Sequence, residues 1–96
     1  MKPILVDLNK NSGERILLTC VGTLRDLERQ NIKLENGLRL WFYDSDVDKY
    51  GSTDNLIFEG IVKFDEELQN WVAEVNWNEI KNMSRLSAEE RRSLCI

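Results

Sequence analysis

The densest concentration of potential ligands is the run Asp44-Ser45-Asp46-Val47-Asp48-Lys49-Tyr50-Gly51-Ser52-Thr53-Asp54. Carboxylates at alternate positions of a tight loop converge on a hard cation such as Ca²⁺, which takes about 6–8 oxygen ligands. Against the calcium-loop pattern, Asp44, Asp46 and Asp48 fill the first three ligand positions, and Asp54 adds a fourth carboxylate. The glycine required at the sixth position is Lys49, and the glutamate required at the twelfth is Asn55. Two defining positions fail, so the competing reading is a solvated acidic loop whose Asp, Gly, Ser and Asn residues supply turn chemistry.

A second constellation is Arg39, Trp41 and Tyr43. In an extended segment that turns Leu38, Leu40 and Phe42 inward, these three alternate onto the opposite face. Trp, Tyr and Arg are the side chains that anchor interfaces. The alternative is that Trp41 and Tyr43 are covered, by the apolar N-terminal residues Ile4, Val6 and Leu8 or by a terminal helix, and form a second small core.

Catalytic chemistry finds little support. The sequence contains no histidine, which removes the commonest general base and the commonest transition-metal ligand. No Ser or Cys has a recognisable activating context, and no glycine-rich phosphate loop is present. The carboxylates Asp65, Glu66 and Glu67 fall in a turn and read as surface charge. Cys20 lies in the apolar run Ile16–Val21, and Cys95 is the penultimate residue. Neither belongs to a CxxC pair. No run of about 20 apolar residues occurs, and the N-terminal Ile4-Leu5-Val6 is too short for a signal-peptide core. A reducing cytoplasm is the expected compartment.

Charge is unevenly distributed. The net −4 resolves into +2 over residues 1–43, −8 over 44–79 and +2 over 80–96. An acidic middle segment repels phosphate backbones, so nucleic-acid binding is disfavoured. A protein partner with a basic surface remains electrostatically open.

These residues need elements to hold them. A 96-residue chain supports one core and one domain, with the core expected over residues 14–80 and a short helix or tail over 81–96. Alternating apolarity predicts a strand from Ile16 towards Leu24, followed by one or two helical turns that start near Thr23 with Asp26 three residues on. Residues 32–43 read as a hairpin turning at Glu35-Asn36-Gly37, which pairs Leu34 with Leu38 and Ile32 with Leu40, and sets Lys33 against Arg39. Strands over 56–64 and 71–77 follow, joined by the connection Asp65–Asn70, with a bend at Gly60 and a closing turn over Trp77–Ile80. Ser87 and Glu90 have capping-box spacing, so a short helix is expected over 88–94.

The fold class is therefore mainly β: a small antiparallel curled sheet or SH3-like barrel of four to five strands with one or two short helices. The stretch Gly22 to Ile80, about three fifths of the chain, resembles a family of small uncharacterised bacterial proteins, cyanobacterial ones among them. The resemblance rests on Gly22-Thr23, Asp26-Leu27, Glu35 with Gly37-Leu38, Phe42-Tyr43, Glu59-Gly60, Phe64-Asp65, Trp71-Val72-Ala73 and Trp77 with Ile80. It implies no activity and assigns no functional residue. The expected function is a non-catalytic interaction or accessory module, presenting a strand edge or the Arg39–Trp41–Tyr43 patch beside an acidic surface. One alternative is a divalent-cation domain using Asp44, Asp46, Asp48 and Asp54. Another is a small enzyme or enzyme subunit with an unrecognised site.

Overall fold

The computed structural model describes residues 2–44, 51 and 55–93. Its strands are β1 (Ile4–Leu5), β2 (Asn11–Ser12), β3 (Arg15–Leu17), β4 (Arg39–Asp44), β5 (Leu56–Asp65), β6 (Asn70–Val75) and β7 (Lys81–Asn82). The helices are α1 (Val21–Arg29) and α2 (Ala88–Ser93), with 3₁₀ turns at Trp77–Glu79 and Met83–Arg85. The strands form one mixed sheet in the order β1-β4-β5-β6-β3-β2, with β7 paired to the first residues of β5. The protein is mainly β, as its alternation predicts. The described sheet has seven strands rather than four or five, is not closed, and contains a parallel pair, β1 with β4.

The strand order forces curvature. β1 and β2 are neighbours in sequence but lie at opposite ends of the sheet. Laid flat, six strands place those ends ~24 Å apart, whereas the stretched chain from Leu5 to Asn11 reaches only ~21 Å. The sheet therefore wraps, and Ile4, Val6, Ile16, Leu40, Phe42, Phe58, Val62, Ala73 and Val75 meet in one buried cluster.

The open seam left by this wrapping is bridged by α1. In a parallel ladder alternate residues bond to the same neighbour. Val6 donates its N–H to the Tyr43 carbonyl at 2.9 Å, so the backbone groups of Leu5 point away from β4. Both are taken by α1: the Asp26 carboxylate accepts from the Leu5 N–H at 3.0 Å, and the Thr23 hydroxyl donates to the Leu5 carbonyl at 2.5 Å. Thr23, Asp26 and Leu27 share a helix face by their i, i+3, i+4 spacing, and Leu27 enters the core. Gly22 permits the approach, since a Cβ there would stand 2.5 Å from Leu5 Cδ2.

This explains two corrections to the sequence reading. The strand predicted to run on to Leu24 ends at Leu17, because residues 21–29 are needed as a helix against Leu5. Thr23 is not the helix cap. Cys20 occupies that position, and Thr23 is fully buried within α1. The predicted hairpin over 32–43 is also absent, since residues 32–38 form no strand and β4 begins at Arg39. The Gly37 N–H donates to the Val62 carbonyl and the Val62 N–H to the Leu38 carbonyl, so β5 takes the Leu38 group that Leu34 was expected to pair with. Ile32 and Leu34 still contribute their side chains to the core. Gly37 does adopt the left-handed φ of 88° expected of it. Gly60 serves as a point of close approach, where a Cβ would lie 3.0 Å from both Phe42 and Val75.

The β5–β6 connection, the 3₁₀ turn after β6 and the terminal helix fall where predicted. The capping box forms in both directions: the Glu90 N–H donates to Ser87 Oγ at 3.1 Å, and the Ser87 N–H to Glu90 Oε1 at 3.2 Å. Among the described residues no helix is long and apolar enough to cross a membrane.

Replacing Thr23 by Val leaves the Leu5 carbonyl without its partner at nearly constant volume. Urea denaturation is expected to show a loss of about 1–3 kcal/mol, with a similar loss for Asp26→Ala. An unchanged midpoint in both variants contradicts the role assigned to α1.

Candidate functional site

The register of β4 and β5 decides what the outer face presents. Leu40 is opposite Gly60 and Phe42 opposite Phe58 on the core side, while Arg39 is opposite Ile61, Trp41 opposite Glu59 and Tyr43 opposite Ile57 on the other. The expected division of β4 is therefore present, with Leu40 and Phe42 buried. Beyond β5 the outer face continues through Lys63 and Glu74 to Arg15, linked by register and by ion pairs. These are Arg39–Glu59 at 3.4 Å, Lys63–Glu74 at 3.2 Å and Arg15–Asp65 at 2.6 Å.

The three residues of the predicted patch do not share one environment. Arg39 is exposed. Trp41 is half-buried and, like Met83, packs against a small second cluster of Ile57 and Leu86; Met83 and Leu86 come from the segment that leads into α2. Tyr43 is half-buried beside Leu5 at the seam, where burial, and then the negative charge of Asp26, push its hydroxyl above the usual tyrosine value. Trp41 is thus neither fully exposed nor fully core, but part of each.

Trp41 also forms a wall of a groove of about 370 Å³, shared with Glu59, Asn78, Glu79, Ile80 and Lys81. The groove originates in a mismatch of lengths. β6 leaves β5 at the Val75–Gly60 pair and β7 rejoins it at the Lys81–Ile57 pair, so residues 76–80 span only Phe58 and Glu59. The excess chain is taken up by the 3₁₀ turn Trp77–Glu79, capped by Asn76, whose side chain accepts from the Asn78 N–H at 3.0 Å. This lifts the chain off the sheet above Glu59. Lys81 is held at 2.8 Å by Glu90, whose carboxyl lies below its ordinary value, chiefly through that bond and with help from the Ser87 N–H.

A second hollow of about 300 Å³ lies further along the same face, lined by residues including Arg15, Lys63, Asp65 and Glu74. Its cations already have carboxylate partners. Asp65 holds together the turn that follows β5, accepting from the Glu67 N–H at 2.9 Å and the Leu68 N–H at 3.1 Å as well as from Arg15. The Leu68 N–H first, then Arg15 and the Glu67 N–H, lower its pKa against the opposing effect of burial.

Of the proposed cation ligands, Asp46, Asp48 and Asp54 lie outside the described residues. Asp44 closes β4, and its carboxylate accepts from the Leu8 N–H at 2.9 Å. Among the described residues no three Asp, Glu, Cys or His side chains are grouped so as to hold a metal ion. No protein family, curated protein or solved structure matches this chain. The site must be read from its own chemistry. Its distinctive members, Asn78, Glu79 and Lys81, were not singled out from the sequence, which marked residues 77–80 only as a closing turn. A groove that arises from unequal strand lengths leaves no signature in residue types.

The lowered pKa of Asp65 fixes the sign of a pH effect. A depressed carboxylate adds stability that is fully present above its unfolded value of about 3.9 and is lost as pH falls through the lower folded value. Thermal unfolding between pH 7 and 2 should therefore show a shallower acid limb for Asp65→Asn than for the parent, together with lower stability at neutral pH. Parallel acid limbs contradict this role.

Proposed function

We propose that this protein is a non-catalytic protein-interaction module and that its docking surface is the outer sheet face around Trp41. The observation that carries this reading is the double placement of Trp41: the side chain packs against the buried Ile57–Leu86 cluster while also walling an open groove. An aromatic side chain already fixed by its neighbours loses little conformational freedom when a partner covers it, which favours such residues as interface anchors.

Docking on the face is favoured over addition of a strand to an edge. At β1 the outward backbone groups of Leu5 are bonded to Thr23 and Asp26, and at the other end β2 is only two residues long. Both arrangements blunt an edge against further pairing. The grooves on the outer face are open and partly neutralised by their own ion pairs, which suits contact with a macromolecule better than enclosure of a small substrate. The −8 balance over residues 44–79 weighs against nucleic acid as the partner. We place the module in the cytoplasm on its two cysteines and their lack of a CxxC pairing motif.

Selection of a random peptide display library on the immobilised protein tests this reading. Enriched sequences are expected, and their affinity should fall about tenfold or more in Trp41→Leu, a change that keeps an apolar contact with Leu86. No enrichment, or enriched peptides that bind folded Trp41→Leu equally well, contradicts it.

A further inference from the structure

We propose that the groove between Trp41 and residues 78–81 takes an extended protein segment bearing lysine or arginine, with one cation seated on the Trp41 indole between Glu59 and Glu79. This rests on the reading of the Trp41 face as a docking surface and specifies the chemistry of its occupant. Three observations support a cation. Glu79 lines the groove, is exposed, and makes no ion pair among the described residues. Glu59 is bound to Arg39 at 3.4 Å, with the Glu59 side chain 40% and the Arg39 side chain 69% exposed, and a solvated pair of that kind is readily exchanged for a better one. Lys81, the lysine in the groove wall, is already neutralised by Glu90 at 2.8 Å. The groove thus offers two carboxylates beside an aromatic ring, while its own cation is occupied. A cation over an indole gains from the ring's negative face, and more so when flanking carboxylates share its desolvation.

The shape favours an extended chain. The groove is bounded by one strand and one 3₁₀ turn, and so runs beside extended backbone along one wall. An extended segment places alternate side chains on one side, so one cation can enter while its neighbours remain in water.

The test uses fluorescence anisotropy of the full chain with three labelled ten-residue peptides: alternating arginine and serine, and the same with glutamine or glutamate replacing arginine. The arginine peptide is expected to bind about tenfold or more tighter than the glutamine peptide, and the glutamate peptide weakest. Binding of the arginine peptide should weaken about tenfold in the Glu59→Gln, Glu79→Gln double variant and in Trp41→Leu, with circular dichroism confirming that each is folded. The Glu28→Gln, Glu35→Gln double variant removes the same charge from exposed positions outside the groove, and should bind as the parent does. An equal loss in that control, or full binding by folded Trp41→Leu, means diffuse attraction to an acidic protein and overturns the proposal. Display-selected peptides that lack cations but require Trp41 also overturn it, while leaving the docking face in place. A library that yields no binder removes both.

Discussion

Two backbone groups on one residue set the terms for this fold. Leu5 sits in a two-residue strand at the edge of the described sheet, with its N–H and carbonyl turned away from β4, the strand it pairs with. Left unbonded at a partly buried position, each carries a desolvation cost of about 1–3 kcal/mol, and together they offer a template for another chain. α1 meets both needs with Thr23 and Asp26, and the same helix face delivers Leu27 to the core. Because α1 begins four residues after β3, it joins the far half of the sheet to the β1 edge without a closing ladder.

With the seam closed from that side, the opposite surface of β4 and β5 is left free for other work. Its first strand is held by the β1–β4 pairing, its middle by cross-strand ion pairs, and one end by the Ile57–Leu86 cluster that Trp41 and Met83 pack against. The capping box of α2 and the Lys81–Glu90 pair fasten that C-terminal segment to β7, which keeps the indole's inner side covered. The groove is therefore a by-product of how the sheet finishes. β6 and β7 are one path along β5, interrupted by a turn that the register cannot accommodate in plane.

Period-two alternation made β4, β5 and β6 legible, and with them the partition of Leu40 and Phe42 from Arg39, Trp41 and Tyr43. Local chemistry marked the Asp65–Asn70 connection and the Ser87–Glu90 cap. The errors have a common cause. Ile16 to Leu24 and Ile32 to Leu40 look like strands by pattern, but the backbone groups of Leu5 and Val62 had already claimed what those segments would supply. Gly22-Thr23 and Asp26-Leu27 stood out in the sequence, yet their purpose depends on a partner some eighteen to twenty-one residues away, which no local window contains. The groove was illegible for the same reason: it exists only where two distant strands fail to match in length.

The central claim is that Leu5 is bonded as firmly outward, to a helix, as Val6 is inward, to a strand. Native-state amide hydrogen exchange, measured residue by residue, tests it directly. The Leu5 amide, which donates to Asp26, should exchange as slowly as the Val6 amide, which donates to Tyr43. Exchange at Leu5 orders of magnitude faster than at Val6 would show an unguarded edge and contradict the account.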